Sequence, residues 1–194
     1  LYTKKGWNKM ELKKFMIIDM LIFTVIAILS EWIGSKINRD FIYISFAQIF
    51  LLMLLIRWNG WGVIPIILMA LIRPFIHEYQ GFKEYILYSV PILSLIIALI
   101  PIKLGMLKEV NKRRYEALIF FSSFYLIFVL TNGLLIKTLI TNQYSIINDF
   151  PKYLLMLIIG NIIYYLLAGQ KTMLINILEN QETNEKDRDH NEYN

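Results

Sequence analysis

The side chains best suited to chemistry lie near the ends of long apolar segments. Charged groups and aromatic rings alternate between positions 73 and 88, and two asparagines follow inside later apolar segments. Such a mixture suits a small ligand, because rings stack on tyrosines and charges fix the ligand's orientation. The predicted ligand-binding residues are Arg73, His77, Glu78, Tyr79, Glu84, Tyr85, Tyr88, Asn132 and Asn161.

Catalytic chemistry is not indicated by any spacing in the chain. The sequence has no nucleophile motif, phosphate-binding loop, dinucleotide fingerprint or HExxH pair. It contains no cysteine, and His77 lacks a suitably spaced metal-ligand partner. We therefore predict no catalytic residue, no metal, no cofactor and no enzyme activity. An intramembrane enzyme using Asp19, Glu31 or His77 is a weaker alternative, because it needs an acid–base pair within hydrogen-bond reach.

Each candidate also has a simpler interpretation. Tyrosines and tryptophans anchor many membrane proteins at the bilayer surface, whatever their function. Arg73 and Asn132 are the stronger ligand candidates, because polar groups this close to hydrocarbon usually face the bundle interior. Asp19 lies about one turn inside the first apolar segment. We expect it to pair with a lysine of the N-terminal segment.

Composition places these residues in a membrane protein. Of the 194 residues, 57% are hydrophobic and 18% are charged, and mean hydropathy is +0.51. The charged residues cluster between apolar runs, as in multi-pass membrane proteins. The net charge of +5 therefore marks cytoplasmic loops and gives no indication of nucleic-acid binding.

The apolar runs predict an all-α integral membrane protein, a compact bundle of six transmembrane helices. Residues 1–178 form this domain, and residues 179–194 form a disordered polar cytoplasmic tail, because they are charged and rich in asparagine. A tight turn containing two interfacial tryptophans is predicted from Trp58 to Gly62. The predicted spans are 15–34, 41–56, 62–76, 85–102, 117–139 and 151–167.

The distribution of Lys and Arg predicts the orientation. An even number of spans puts both termini on one side of the bilayer. Fourteen of the 20 Lys and Arg residues fall on that side. The positive-inside rule therefore predicts a multi-pass protein of the cell membrane with both termini in the cytoplasm.

Small residues on the first span predict a close helix contact. Thr24, Ala27 and Ser30 recur at three-residue spacing, which brings them onto one face of a helix. In membranes such stripes mark helix–helix contacts. The contact is either packing within the bundle or docking of another membrane subunit.

Length, span number and an outward-facing polar pocket together resemble the substrate-binding S-component of energy-coupling factor (ECF) vitamin transporters. The stretch from Leu55 to Trp61 (LIRWNGW) resembles the Arg-aromatic turn after the second span of several S-components. The stretch from Gln80 to Tyr85 (QGFKEY), leading into Pro91, resembles the opening of span four in thiamin-specific members. The chain departs from the family's Ala-xxx-Ala pattern on span one.

The resemblance implies a function and partners. An S-component captures a vitamin outside the cell and delivers it through a transmembrane coupling subunit that works with two ATPase subunits. Glu84 would face a cationic, thiamin-like ligand, and Tyr85 would line the pocket. The alternative is a membrane scaffold resembling the six-span MreD-like proteins of cell-wall synthesis, which binds no ligand.

Overall fold

All the regular structure described is helical, as the sequence predicts. The computed structural model describes residues 9–37, 45–104, 114–139, 146–170 and 177. The predicted tail at 179–194 lies outside these residues. The helices are α1 (Lys9–Ile37), α2 (Ala47–Trp58), α3 (Val63–Ile76), α4 (Phe82–Ser94), α5 (Leu99–Lys103), α6 (Arg114–Leu139) and α7 (Ile146–Ala168), with 3₁₀ turns at Asn59–Gly62 and Leu95–Ala98.

Four helical stretches in the described ranges are long and apolar enough to cross a membrane. They are Glu11–Lys36, Ala47–Ile76, Phe82–Lys103 and Tyr115–Ile136, and Tyr153–Ala168 is a shorter apolar helix. Large apolar side chains are exposed along the outer faces of these helices, including Leu21, Leu29, Leu71, Ile119 and Leu134. Outward apolar faces combined with this length confirm the predicted class, a helical protein compatible with a membrane bundle.

The stretch Ala47–Ile76 folds back on itself and forms the hairpin of α2 and α3. The carboxylate of Glu31 contacts both Ser45, just before α2, and Arg73, near the end of α3. A straight helix would separate those two residues by about 40 Å, so the chain must reverse between them. Gly62 lies against the α2 backbone, where an added Cβ would come within 2.7 Å of Leu54 O and Leu55 Cα. The turn predicted at 58–62 is therefore present.

A proline and a serine join α3 to α4. Pro74 lies in the last turn of α3 and has no N–H to donate to the carbonyl of Ala70, four residues earlier. The hydroxyl of Ser89, on α4, donates to that carbonyl at 2.8 Å. The hydrogen bond that proline removes from one helix is thus replaced by its neighbour, as membrane helices require.

The helices alternate in direction between two ends of the bundle. At one end, Asn132 of α6 contacts Tyr153 of α7, and near the middle Ser122 contacts Asn161. The buried hydroxyl of Tyr164 donates to Ile49 O at 3.2 Å, which ties α7 to α2. The first two contacts show that α6 and α7 run antiparallel. The helices enclose a core of aromatic and aliphatic side chains.

Candidate functional site

Glu31 is the centre of a buried polar cluster formed by α1, α3 and the segment before α2. Its side chain is fully buried. One carboxylate oxygen, Oε1, lies 2.7 Å from Arg73 Nε and 2.9 Å from His77 Nε2. The other oxygen accepts a hydrogen bond from the hydroxyl of Ser45. Two basic groups and one hydroxyl therefore converge on a single carboxylate.

Aromatic rings surround the cationic part of this cluster. Arg73 donates a second hydrogen bond, from Nη1 to the carbonyl of Tyr88 at 3.1 Å. Its guanidinium carbon lies 5.4 Å from the Phe128 ring centre and 6.0 Å from that of Tyr88. The ring of His77 stacks on that of Tyr88 at 4.6 Å with an interplanar angle of 7°. We call Glu31, Ser45, Arg73, His77 and Tyr88 the Glu31 cluster.

Burial makes the Glu31 cluster energetically important. Glu31 and Arg73 are both nearly inaccessible to solvent, so their charges are little screened. Removing one partner of such a pair typically costs about 3–5 kcal/mol, because it leaves an uncompensated buried charge. Ionisable groups inside membrane segments are rare and commonly mark ligand or ion pathways. The cluster is the strongest functional candidate among the described residues.

Of the predicted ligand-binding residues, Arg73, His77 and Tyr88 meet in the Glu31 cluster. Tyr79 and Tyr85 lie together beside Phe75, with ring centres 5.3–6.5 Å apart in edge-to-face contacts. This aromatic group joins the last turn of α3, which contains Phe75, to the first turn of α4, which contains Tyr85. The structure thus brings five of the predicted residues together in two separate groups, and their role in ligand binding stays a prediction.

Glu78 and Glu84 have local structural roles. Glu78 has a positive φ of 54°, and the backbone bonds from Glu78 N to Phe75 O and from Tyr79 N to Pro74 O form a Schellman motif. It also makes an exposed ion pair with Lys36 at 3.3 Å. Glu84 Oε2 accepts a 2.7 Å hydrogen bond from the Gln80 backbone N–H. Glu84 thus ties the first turn of α4 to the residue before its N-cap, and its negative charge is favourable near the helix N-terminus.

Asn132 and Asn161 join α6 to α7 and have no contact with Glu31 among the interactions described. Asn132 Nδ2 donates to the hydroxyl of Tyr153 at 3.0 Å. Asn161 Oδ1 accepts from Ser122, and its Nδ2 donates to the carbonyl of Leu157, both at 3.0 Å. Both amides therefore have partners within the helix pair.

The proposed docking stripe on α1 faces inward. Ala27 is fully buried and Thr24 nearly so, and the hydroxyl of Thr24 donates to the carbonyl of Met20. Ser30 Oγ accepts a 2.6 Å hydrogen bond from the backbone N–H of Phe46. Packing within the bundle accounts for these positions, and docking of a second subunit here stays a prediction.

A second buried cluster corrects the expected partner of Asp19. Its carboxylate binds Arg57 through two hydrogen bonds, from Nε at 2.8 Å and Nη2 at 3.0 Å. The indole N–H of Trp58 donates to the same carboxylate at 2.6 Å. Among the described residues the partner is Arg57 and not a lysine, because an arginine at the end of α2 offers two parallel donors to a carboxylate facing it across the α1–α2 interface.

The same cluster corrects the interpretation of Trp58 as an interfacial anchor. Trp58 is fully buried, whereas Trp61 is about half exposed. Of these two tryptophans, Trp61 is therefore the one placed like a membrane-interface residue.

Sequence reasoning missed three contributors to these polar interiors. Ser45 and Arg57 bind the two buried carboxylates, and Gln48 is buried in the first turn of α2. Arg57 had a usable signal, since an arginine at the end of an apolar run needs a partner when it does not reach water. Ser45 and Gln48 had none, because a serine or glutamine beside or within an apolar run often contacts only nearby backbone or water.

The Glu31 cluster offers recognition and charge balance, and the contact of Glu31 with His77 at 2.9 Å also brings an acid–base pair within hydrogen-bond reach, as the enzyme alternative requires. The described residues contain no group of three or more His, Cys, Asp or Glu side chains arranged to hold a metal ion. A polar ring compound suits this cluster, which holds a carboxylate, a guanidinium and an imidazole between aromatic rings. The ligand ring can stack on the aromatic side chains, and the fixed charges can orient the ligand. No family model matches the chain, and no curated protein or solved structure is detectably similar to it.

Proposed function

We propose that the chain crosses the cell membrane six times and has both termini in the cytoplasm. The alternating helix directions support this, because α2 and α3 form a hairpin whose turn lies at the Asp19 end. The loops at that end contain most of the lysines and arginines in the sequence. Under the positive-inside rule, the Glu31 cluster then lies toward the outside.

We further propose that the protein is the substrate-binding subunit of an ECF-type importer for a vitamin or related micronutrient. The observation that carries this proposal is the buried Glu31 cluster with its stacked His77 and Tyr88 rings. Intramembrane charges surrounded by aromatic rings are typical of sites that bind polar ligands. The sequence resemblance supports the same function and implies a coupling subunit and two ATPase subunits as partners.

Ligand retention tests this proposal directly. The protein is purified in mild detergent from cells grown in rich medium, then denatured, and released small molecules are identified by mass spectrometry. We expect one stoichiometric compound, and its re-addition should raise the thermal unfolding temperature. An empty protein that thiamin, riboflavin, pyridoxine and folate all fail to stabilise would refute the transport function.

One structural observation favours the scaffold alternative. Both oxygens of Glu31 contact other groups of the protein. The cluster is therefore also explained by a purely structural role, in which it holds α1 against α3. A scaffold of the MreD-like type needs only that rigidity and binds no ligand. The two functions differ in the effect of Tyr88→Ala. A binding subunit loses ligand, whereas a scaffold loses only stability.

A further inference from the structure

Gln48 is a buried amide whose oxygen has no hydrogen-bond partner among the described residues. Its side chain lies in the first turn of α2 and is 2% exposed. The Oε1 atom is inaccessible to solvent, and no donor in the described ranges bonds to it. Buried polar side-chain atoms are satisfied in the large majority of cases, so each exception calls for a specific explanation.

The position of Gln48 relates it to the Glu31 cluster. Ser45, which donates to Glu31, comes three residues before Gln48. The Ser45 hydroxyl also accepts a 3.2 Å bond from the backbone N–H of Ala47, and Ile49 N–H bonds to Phe46 O at 3.0 Å. Helix α2 begins at Ala47, so Gln48 lies in its first turn, three residues beyond Ser45. Gln48 lies about one turn deeper in the bundle than Ser45.

The charges nearby restrict what could meet the Gln48 oxygen. Glu31 and Arg73 already neutralise each other at 2.7 Å. An added cation or anion would leave a net charge in a buried site, which is costly. An amide oxygen accepts hydrogen bonds, so its partner must bring a donor. An uncharged group that carries an N–H or O–H meets both conditions.

We propose that Gln48 Oε1 accepts a hydrogen bond from an uncharged N–H or O–H group of the transported ligand, one turn below the Ser45–Glu31 contact. This inference rests on the proposed binding function and names the part of the ligand that enters deepest. The ligand is then a polar ring compound with a neutral donor on its inserted edge. Gln48 is a specificity-determining residue under this proposal.

The test uses Gln48→Met, which keeps the length of the side chain and removes the acceptor. Purified wild type and variant are titrated with thiamin, riboflavin, pyridoxine and folate, followed by thermal unfolding and by isothermal titration. For the compound that binds wild type, we expect Gln48→Met to weaken affinity by about tenfold, the equivalent of one lost hydrogen bond. Gln80→Met, at an exposed position, is the matched control and should leave affinity unchanged.

A structural role for Gln48 predicts a different result. Replacing an unsatisfied buried amide by an apolar side chain should then raise the unfolding temperature and leave affinity as in wild type. Equal affinity in wild type and Gln48→Met overturns the inference and leaves the binding function standing. Failure of every compound to bind wild type overturns both. A second check uses a methylated analogue of the compound that binds wild type, in which the inserted N–H or O–H is blocked. Wild type and Gln48→Met should bind this analogue with similar affinity.

Discussion

At the scale of single residues, Glu31 and Asp19 organise the interior of this bundle. Each is a carboxylate of α1 that binds an arginine from the α2–α3 hairpin, at 2.7 Å for Arg73 and 2.8 Å for Arg57. Both pairs are almost completely buried, unlike the exposed pair of Lys36 and Glu78. Breaking a buried pair costs more stability than breaking an exposed pair, because it leaves a desolvated charge without a partner.

Breaking the pair at Glu31 should therefore be costly, and replacing both partners should be less so. We expect Glu31→Gln and Arg73→Met each to lower the free energy of unfolding by about 3–5 kcal/mol. The double variant should lose clearly less than the sum of the two. Thermal unfolding in detergent measures this cycle, and strictly additive losses would contradict the pairing. Lys36→Met serves as the control and should have little effect, because exposed pairs contribute little.

A second residue-scale prediction concerns Glu78. Its φ of 54° lies in the left-handed region that glycine adopts without strain. Glu78→Gly should thus raise the unfolding temperature modestly and leave ligand affinity unchanged, although the sequence pattern placed Glu78 among the ligand-binding residues. If Glu78→Gly instead lowers ligand affinity, Glu78 belongs to the binding site.

At the scale of elements, the joint between α3 and α4 is the most specific contact. Pro74 deprives the Ala70 carbonyl of its helical donor, and Ser89 replaces that donor at 2.8 Å. The replacement fixes the rotation of α4 about its axis, and the same helix presents Tyr88 to Arg73 and His77. A hydrogen bond between two helices thus positions an aromatic wall of the Glu31 cluster.

The hydrogen bond from Ser89 to the Ala70 carbonyl predicts that one substitution can compensate for another. Ser89→Ala should destabilise the protein by about 1–3 kcal/mol, because the Ala70 carbonyl is left buried without a donor. Adding Pro74→Ala should recover much of that loss, since the new backbone N–H can donate to the same carbonyl. Ser94→Ala is the matched control, because its hydroxyl bonds only within its own helix, to Pro91 O at 2.7 Å. Equal unfolding temperatures for Ser89→Ala and Ser94→Ala would argue against the joint.

The positions of two helical runs follow closely from hydropathy, whereas α1 and α7 begin six and five residues before the predicted spans 15–34 and 151–167. The predicted spans 62–76 and 85–102 correspond to α3 and to the run from α4 to α5, within three residues at each end. Long apolar runs determine helix position because backbone groups in lipid must bond within their own segment. The turn at 58–62 was predictable for a related reason, since its glycines permit a close reversal.

The polar contacts were less predictable because they depend on helix rotation. Hydropathy places Glu31 and Arg73 near the same end of the bundle but does not say that they face each other. Asp19 illustrates the difficulty, because lysines and an arginine were both within plausible reach and only the α1–α2 packing selects Arg57. The roles of Glu84 and Glu78 at helix ends are likewise set by backbone geometry that composition does not reveal.

At the scale of the whole molecule, the orientation can be tested because the chain has no cysteine. Single cysteines introduced at Gln80 and Leu104, both exposed, mark opposite ends of the bundle. With the Glu31 cluster toward the outside, a membrane-impermeant maleimide should label Gln80→Cys in intact cells and Leu104→Cys only after permeabilisation. The reverse pattern would invert the topology and turn the candidate site toward the cytoplasm.

The hairpin has a consequence for the surrounding lipid. Helix α3 has 14 residues and is about 21 Å long, whereas the hydrocarbon layer is about 30 Å thick. Its exposed side chains Ile64, Leu68 and Leu71 present a short apolar band to the acyl chains. Hydrophobic mismatch of this kind is relieved by local thinning of the bilayer or by tilting of the helix. Thinning beside α3 would shorten the path from water to the buried charges, so we expect acyl-chain length to affect how easily solvent reaches the Glu31 cluster.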